Sequence, residues 1–464
     1  MELVKELQAI LGEGAVIFNE EKMEAYSHDE TDAALYGSMP AVVILPSTAE
    51  EIAAVVKLAN REGIPITPRG AGSGLSGGAI PLKGGICISL ERMNRLLEID
   101  RENMVVVVEA GMVTNDLAQA VQAEGLFFAG YPMSLQTCFI GGNIAENAGG
   151  GKAVKYGVTG RYILGIELVT PTGDIVNLGG KLVKDVSAYD LKSLIIGSEG
   201  TLGIITKATI RLIGNPRAKS DLLVLFKNTK DAIDLVPLIL SQGLTPTSIE
   251  FMDALSVITT CKYLNESLPY ENAGAMLLIE LDGNDADQIE RDLVKIGKLC
   301  EAQGALEVYV AEDKNNIERI WNVRRNIAEA FKVFCPVQSI EDIVVPIANI
   351  PKIIPELEAL GKKYRMQIPC YGHAGDGNLH ATLVKAPETS QEEWLCAEEA
   401  CLEELYRITG ALGGKISGEH GIGLKRKKFL KDIIDPIELE MMKAVKRALD
   451  PANIMNPGKI FDMA

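Results

Sequence analysis

The sequence predicts an α+β fold built in two parts, and three observations carry that expectation. The chain has 464 residues, more than a single hydrophobic core usually organises. Up to about residue 215, short helical and strand patterns alternate through Gly-rich connections. Beyond Ile213 glycine thins out, and longer amphipathic helices alternate with strands, the pattern of a second domain of sheet plus helices.

The elements follow in order. The opening MELVKELQAILGEGAVI alternates charged and apolar residues at helical spacing. Residues 41–45 read as a strand ended by Pro46. Ser47 and Thr48, followed three residues on by Glu50 and Glu51, form overlapping capping boxes for a helix that runs through Val55, Val56 and Leu58 to a stop at Gly63. Residues 64–68 form the next strand, leading into RGAGSGLSGG, and 86–90 another. Segments 104–109 and 204–212 are β-rich. In the second part, 275–281 and 306–311 read as strands around a helix over 285–303. Glycine returns densely at 372–377 and 413–423, before a last helical stretch and the ending NPGKIF.

Composition excludes several classes of function. The formal net charge of -17 repels nucleic acid and anionic lipid headgroups, so an anionic substrate needs a local cation. No apolar run approaches the roughly 20 residues of a membrane span, and the N-terminus lacks the form of a signal peptide. The eight cysteines show no pair at two-residue spacing, which argues for reduced thiols and a cytoplasmic protein rather than a zinc ribbon or an iron-sulfur cluster.

Residues 72–77, GSGLSG, match the GxGxxG fingerprint letter for letter, but the context is wrong for a Rossmann site. Gly78, Pro81, Gly84 and Gly85 follow, so no helix opens there. What remains is a loop of unobstructed peptide N–H groups suited to a diphosphate. GGNIAENAGGG at 141–151 and GSEGTLGIIT at 197–206 add two more points of close backbone approach, as a ligand the length of FAD requires.

Three of the four histidines fall in two short motifs, His373 and His380 in GHAGDGNLH and His420 in GEHG. Residues 368–371 and 379–384 read as strands joined by an Asp-Gly turn, with the two histidines at roughly opposite positions. Both imidazoles could then reach one ion. Glu419 and His420, adjacent in an extended segment, would point apart, one to a metal and the other to a substrate. Two imidazoles and a carboxylate suit Zn, Mn or Fe. The plainer alternative is histidines that only hydrogen-bond loop backbone.

The run LPSTAEEIAAVVKLANREGIPITPRGAGSGLSGG, followed by GGNIAENAGGG, GSEGTLGIIT, GHAGDGNLH, GEHGIG and NPGKIF, resembles the GlcD family of glycolate oxidase subunits over nearly the whole chain. The resemblance implies a vanillyl-alcohol-oxidase type FAD-binding domain of two α/β subdomains, over 1–217 and 421–464, and an antiparallel cap domain over 218–420. It places the pyrophosphate on Arg69, Gly70, Ala71, Gly72, Ser73, Gly74, Leu75, Ser76 and Gly77. Pro68, Gly141, Gly142, Asn143, Ala148, Gly149, Glu199, Ile204 and Asn456 would line the rest of the flavin. The cofactor loop holds no histidine for a covalent bond, which implies noncovalent FAD. By the same resemblance His373, His380 and Glu419 bind a divalent metal, and His420 is the catalytic base. Asn378 contacts the substrate, and Arg324, in Trp321-Asn322-Val323-Arg324-Arg325, grips its carboxylate. Ile340 stands before Glu341 and Asp342 where some relatives place a second cationic clamp, a departure that weakens the case for a larger diacid.

The implied chemistry is oxidation of a small 2-hydroxy acid, such as D-lactate or glycolate, by hydride transfer to flavin. Electrons would pass to an iron-sulfur subunit or an electron-transferring flavoprotein pair. The alternatives are an oxidase that uses oxygen directly, a noncatalytic electron relay, and a flavin-free metal hydrolase, for which no HExxH motif speaks.

Overall fold

A computed structural model describes residues 2–270, 272–311 and 313–463. Contacts within the chain group into two compact units, one of Met1–Gly149, Val158–Asn215 and Glu419–Ala464, the other of Gly150–Gly157 and Pro216–Gly418.

The first unit contains a four-stranded sheet in the order Val16–Ile17, Val42–Ile44, Ile86–Ser89, Ile66–Arg69. Val42–Ile44 and Ile66–Arg69 both run parallel to Ile86–Ser89. Parallel pairing requires a crossover, and helix Ala49–Glu62 supplies it. Its ends are where the capping residues put them. Thr48 Oγ1 accepts from Glu51 N at 3.2 Å, Ser47 N donates to Glu51 Oε2 at 2.6 Å, and Gly63 takes the left-handed conformation at φ 63°. The face carrying Ile52, Val55, Val56 and Ala59 is fully buried, each larger side chain contributing on the order of 1.5–3 kcal/mol. Residues 70–85 contain no helix, as the glycine and proline pattern requires. A second, antiparallel sheet orders Leu96–Asp100, Val105–Glu109, Ile204–Arg211, Ile163–Val169 and Ile175–Gly179. The C-terminal segment returns alongside the first sheet through a parallel bridge between Ile66 and Met455.

The second unit is built on seven antiparallel strands in the order Glu307–Ala311, Ala218–Phe226, Ala275–Gly283, Ser248–Asp253, Cys370–His373, Asn378–Val384, Gln338–Val344. Helices Thr229–Ser241 and Ala286–Ala302 pack on it. Gly150–Gly157, distant in sequence, is pinned to strand Ala275–Gly283 by charge. Lys152 Nζ lies 2.7 Å from Glu280, while Lys155 Nζ and Tyr156 Oη both donate to Asp282. Among the described residues no helix is long and apolar enough to cross a membrane.

Candidate active site

In the first unit the glycine segments converge backbone to backbone. A Cβ on Gly70 would lie 3.5 Å from the Cα of Gly142, and one on Gly141 would meet Ala110 at 2.8 Å. The loop over 70–77 is held from below. Asp29, nearly fully buried, accepts from Gly77 N at 2.8 Å. Arg69 donates to the carbonyls of His28 and Ala25 at 2.8 and 3.0 Å. Its guanidinium also fills the space a side chain at Gly72 would need, 2.0 Å from an added Cβ, and Gly72 sits at φ +76°. Arg69 therefore gives the loop its shape, and the backbone N–H groups above it remain the anion-facing surface.

Glu199, itself at φ 51°, accepts from Ile422 N and Gly423 N at 2.8 and 2.7 Å. Asn456, buried and at φ 43°, donates through Nδ2 to the carbonyls of Gly78 and Glu199 at 3.0 and 2.8 Å. Asn143 donates to Thr114 Oγ1 at 2.7 Å, Gly149 faces the Glu419 carboxylate, and Ile204 and Ala148 are buried beside these segments. Burial pushes the Lys459 ammonium down to about 7 against the opposing pull of Asp29 and Glu199. The cradle fits a diphosphate-bearing cofactor on two counts. The side-chain direction of Gly142 opens on space with no atom within 4 Å, and Ser76 Oγ is buried without a hydrogen bond. Glu419 and His420, consecutive in this unit, place carboxylate and imidazole 3.7 Å apart.

In the second unit the two motif histidines share one sheet face, but their register corrects the expectation of roughly opposite positions. His373 pairs with Asn378 and Tyr371 with His380, so the imidazoles are diagonal neighbours with ring centroids 5.6 Å apart. His373 is 2% exposed, and its Nδ1 lies 2.8 and 2.9 Å from the two oxygens of Glu250. A carboxylate only accepts, so that nitrogen carries the proton and Nε2 keeps its lone pair. Such a pair of imidazoles suits a transition metal better than Ca or Mg.

Arg324 closes helix Lys314–Arg325 and is buried at 4% exposure. Its Nε donates to Glu250 Oε2 at 2.7 Å, and its guanidinium stands over the Tyr371 ring, 5.4 Å from the centroid. Burial alone would raise the Glu250 carboxyl, but His373 and Arg324 overcome it and hold the group at about 2. Arg325, half-exposed, pairs with Glu318 as a solvated helix charge. Asn378 spends its amide hydrogens on Asp342 Oδ1 and the Ile343 carbonyl, at 2.7 and 3.0 Å. Its buried Oδ1 has no partner and can accept from a ligand.

Two buried carboxylates matter here beyond the residues read from the motifs. Glu250 joins His373 to Arg324. Asp342 accepts from Asn378, Ser417 Oγ and Gly418 N, fixing the turn immediately before Glu419. A signal for Glu250 existed, since a carboxylate inside the apolar strand Ser248–Asp253 must be matched by a cation.

Residues 40–179 match the FAD binding domain and 215–460 the C-terminal domain of FAD linked oxidases. The chain is 39% identical to the glycolate oxidase subunit GlcD of Bacillus subtilis over 94% of its length and 92% of that protein's. It is 38% identical to a D-lactate dehydrogenase of Anaerostipes hadrus, covering 96% and 94% of the two chains. p-Cresol methylhydroxylase shares the fold, with a TM-score of 0.80 and 17% identity over 99% of this chain and 96% of the other.

Proposed function

The chain belongs to the glycolate oxidase GlcD family of FAD linked oxidases, and from that premise we propose that it oxidises a small 2-hydroxy acid to the 2-oxo acid. D-lactate and glycolate are the substrates named for its relatives in Anaerostipes hadrus and Bacillus subtilis. The observation that carries the reading is the buried Arg324, a fixed cation beside an imidazole whose Nε2 lone pair is available to a metal. In a protein of net charge -17, this is how an anion is held.

FAD is bound noncovalently by the glycine cradle from Pro68 to Gly77 with Gly141, Gly142, Asn143, Glu199 and Asn456, and supplies a hydride acceptor. Residues 1–217 and 421–464 form its domain, and 218–420 the cap. Arg324 takes the substrate carboxylate through its Nη groups while Nε stays with Glu250. Asn378 Oδ1 accepts from the substrate hydroxyl, and His420 removes that hydroxyl's proton. His373, His380 and Glu419 hold one Zn, Fe or Mn ion, which lowers the hydroxyl pKa. Electrons leave to an electron-transferring flavoprotein pair or an iron-sulfur subunit.

The test is anaerobic titration of the yellow protein with D-lactate, L-lactate, glycolate and D-2-hydroxyglutarate while the flavin band is followed. A small 2-hydroxy acid bleaches the wild type. His420→Ala keeps its flavin and is not bleached. Bleaching by none of the four would sink the proposal, and normal bleaching of His420→Ala would remove that residue from the chemistry.

A further inference from the structure

Glu250 is fully buried in a central strand of the seven-stranded sheet, directly across the antiparallel ladder from His373. Cross-strand partners project from the same face, so the register itself brings carboxylate to imidazole. Oε1 accepts from Ser248 Oγ at 2.8 Å and from His373 Nδ1 at 2.8 Å, and Oε2 accepts from Arg324 Nε at 2.7 Å. Space for this arrangement depends on Gly151, where an added Cβ would stand 2.7 Å from Glu250 Oε1. One carboxylate thus has its oxygens committed to three side chains drawn from separate elements.

We propose that Glu250 is a positioning residue that fixes His373 as the Nδ1–H tautomer, aims its Nε2 lone pair at a divalent ion, and locks that imidazole to Arg324. The inference rests on the reading of His373 as a metal ligand, and it makes the anion clamp and the metal side of the site one rigid unit. Histidine ligands are commonly oriented by a carboxylate on the second ring nitrogen, and losing that partner costs about 10- to 100-fold in metal affinity.

Glu250→Gln separates this role from simple packing. Arg324 can only donate, so it claims the amide oxygen. The amide NH2 is then left to face His373 Nδ1, which drives the ring proton to Nε2, the wrong atom for a metal. With four histidines in the chain, the ring nitrogens can be followed by 15N NMR of histidine-labelled, chelator-stripped protein, and His373→Gln identifies the relevant signals. The wild type should show His373 protonated on Nδ1, and Glu250→Gln should show it protonated on Nε2. Zn2+ affinity, measured by competition with a chromophoric chelator, should fall tenfold or more in Glu250→Gln at unchanged flavin content. Ser248→Ala, which keeps the carboxylate, should lose less than threefold.

Wild-type His373 protonated on Nε2 overturns the inference, and this measurement needs no variant of Glu250 to fold. Wild-type Zn2+ affinity in Glu250→Gln overturns it as well. A wild-type protein that binds none of Zn2+, Mn2+ or Fe2+ refutes instead the underlying metal site.

Discussion

Asn456 is where the final segment of the chain ties the cofactor cradle together, and its replacement gives a prediction whose size can be worked out. Its backbone N–H donates to Ile66 O at 2.7 Å, and its Nδ2 to Gly78 O and Glu199 O. Three segments far apart in sequence therefore meet at one side chain that is 2% exposed. Asn456→Gly keeps the positive φ at no steric cost but leaves two buried carbonyls without this donor, at about 1–1.5 kcal/mol each after partial rehydration. Asn456→Ala loses the same bonds and adds roughly 1 kcal/mol for a Cβ held in the left-handed region. The flavin-free protein escapes much of this cost by relaxing the loops at Gly78 and Glu199, whereas the flavin-bound protein must rebuild them. The penalty therefore emerges as weaker FAD binding, up to roughly 30- to 150-fold for Gly and about fivefold more for Ala. Flavin released on dilution, read by its fluorescence, gives the affinity, and the temperature of flavin release gives an independent ranking. Wild-type retention of FAD in both variants, or Gly weaker than Ala, would show that Asn456 does not organise the cradle.

Arg324→Lys keeps a charge but loses the planar fork, so the KM for the 2-hydroxy acid should rise roughly 10- to 100-fold, the worth of one charge-assisted hydrogen bond; an unchanged KM by steady-state kinetics would remove Arg324 from substrate binding. All eight cysteines are free, yet burial pushes Cys87, Cys300 and Cys401 up to about 12. Cys396 is exposed, so native protein at pH 8 should release about one equivalent rapidly in a thiol-disulfide colour assay, lost in Cys396→Ser. The fully buried Asp221 accepts from Trp321 Nε1 at 2.7 Å, and burial raises its carboxyl to about 6. A raised carboxyl stabilises the fold most below the pKa of the unfolded chain, and that advantage disappears as pH climbs through 6. Asp221→Asn should therefore gain stability relative to wild type by ~1 kcal/mol more at pH 7 than at pH 5, measured by denaturant unfolding; an equal difference at both pH values would contradict the shift.

The local grammar of the chain determined a good deal. Thr48, Glu51 and Gly63 mark the ends of helix Ala49–Glu62 because capping and left-handed conformations are decided within a few residues. Gly78, Pro81, Gly84 and Gly85 rule out a helix after GSGLSG for the same reason, and turn chemistry sets the hairpin that carries His373 and His380. Which atoms meet across the sheet was decided only by tertiary pairing. Register, not spacing, makes the two imidazoles diagonal and sets Glu250 opposite His373, 123 residues away in the chain, with Arg324 a further 74 from Glu250 on a helix end. Arg69, which the motif assigns to a phosphate, turns beneath its loop toward the carbonyls of Ala25 and His28. The cost of leaving a buried charge unpaired selects such partners, and that cost is felt only once distant strands have closed over the group.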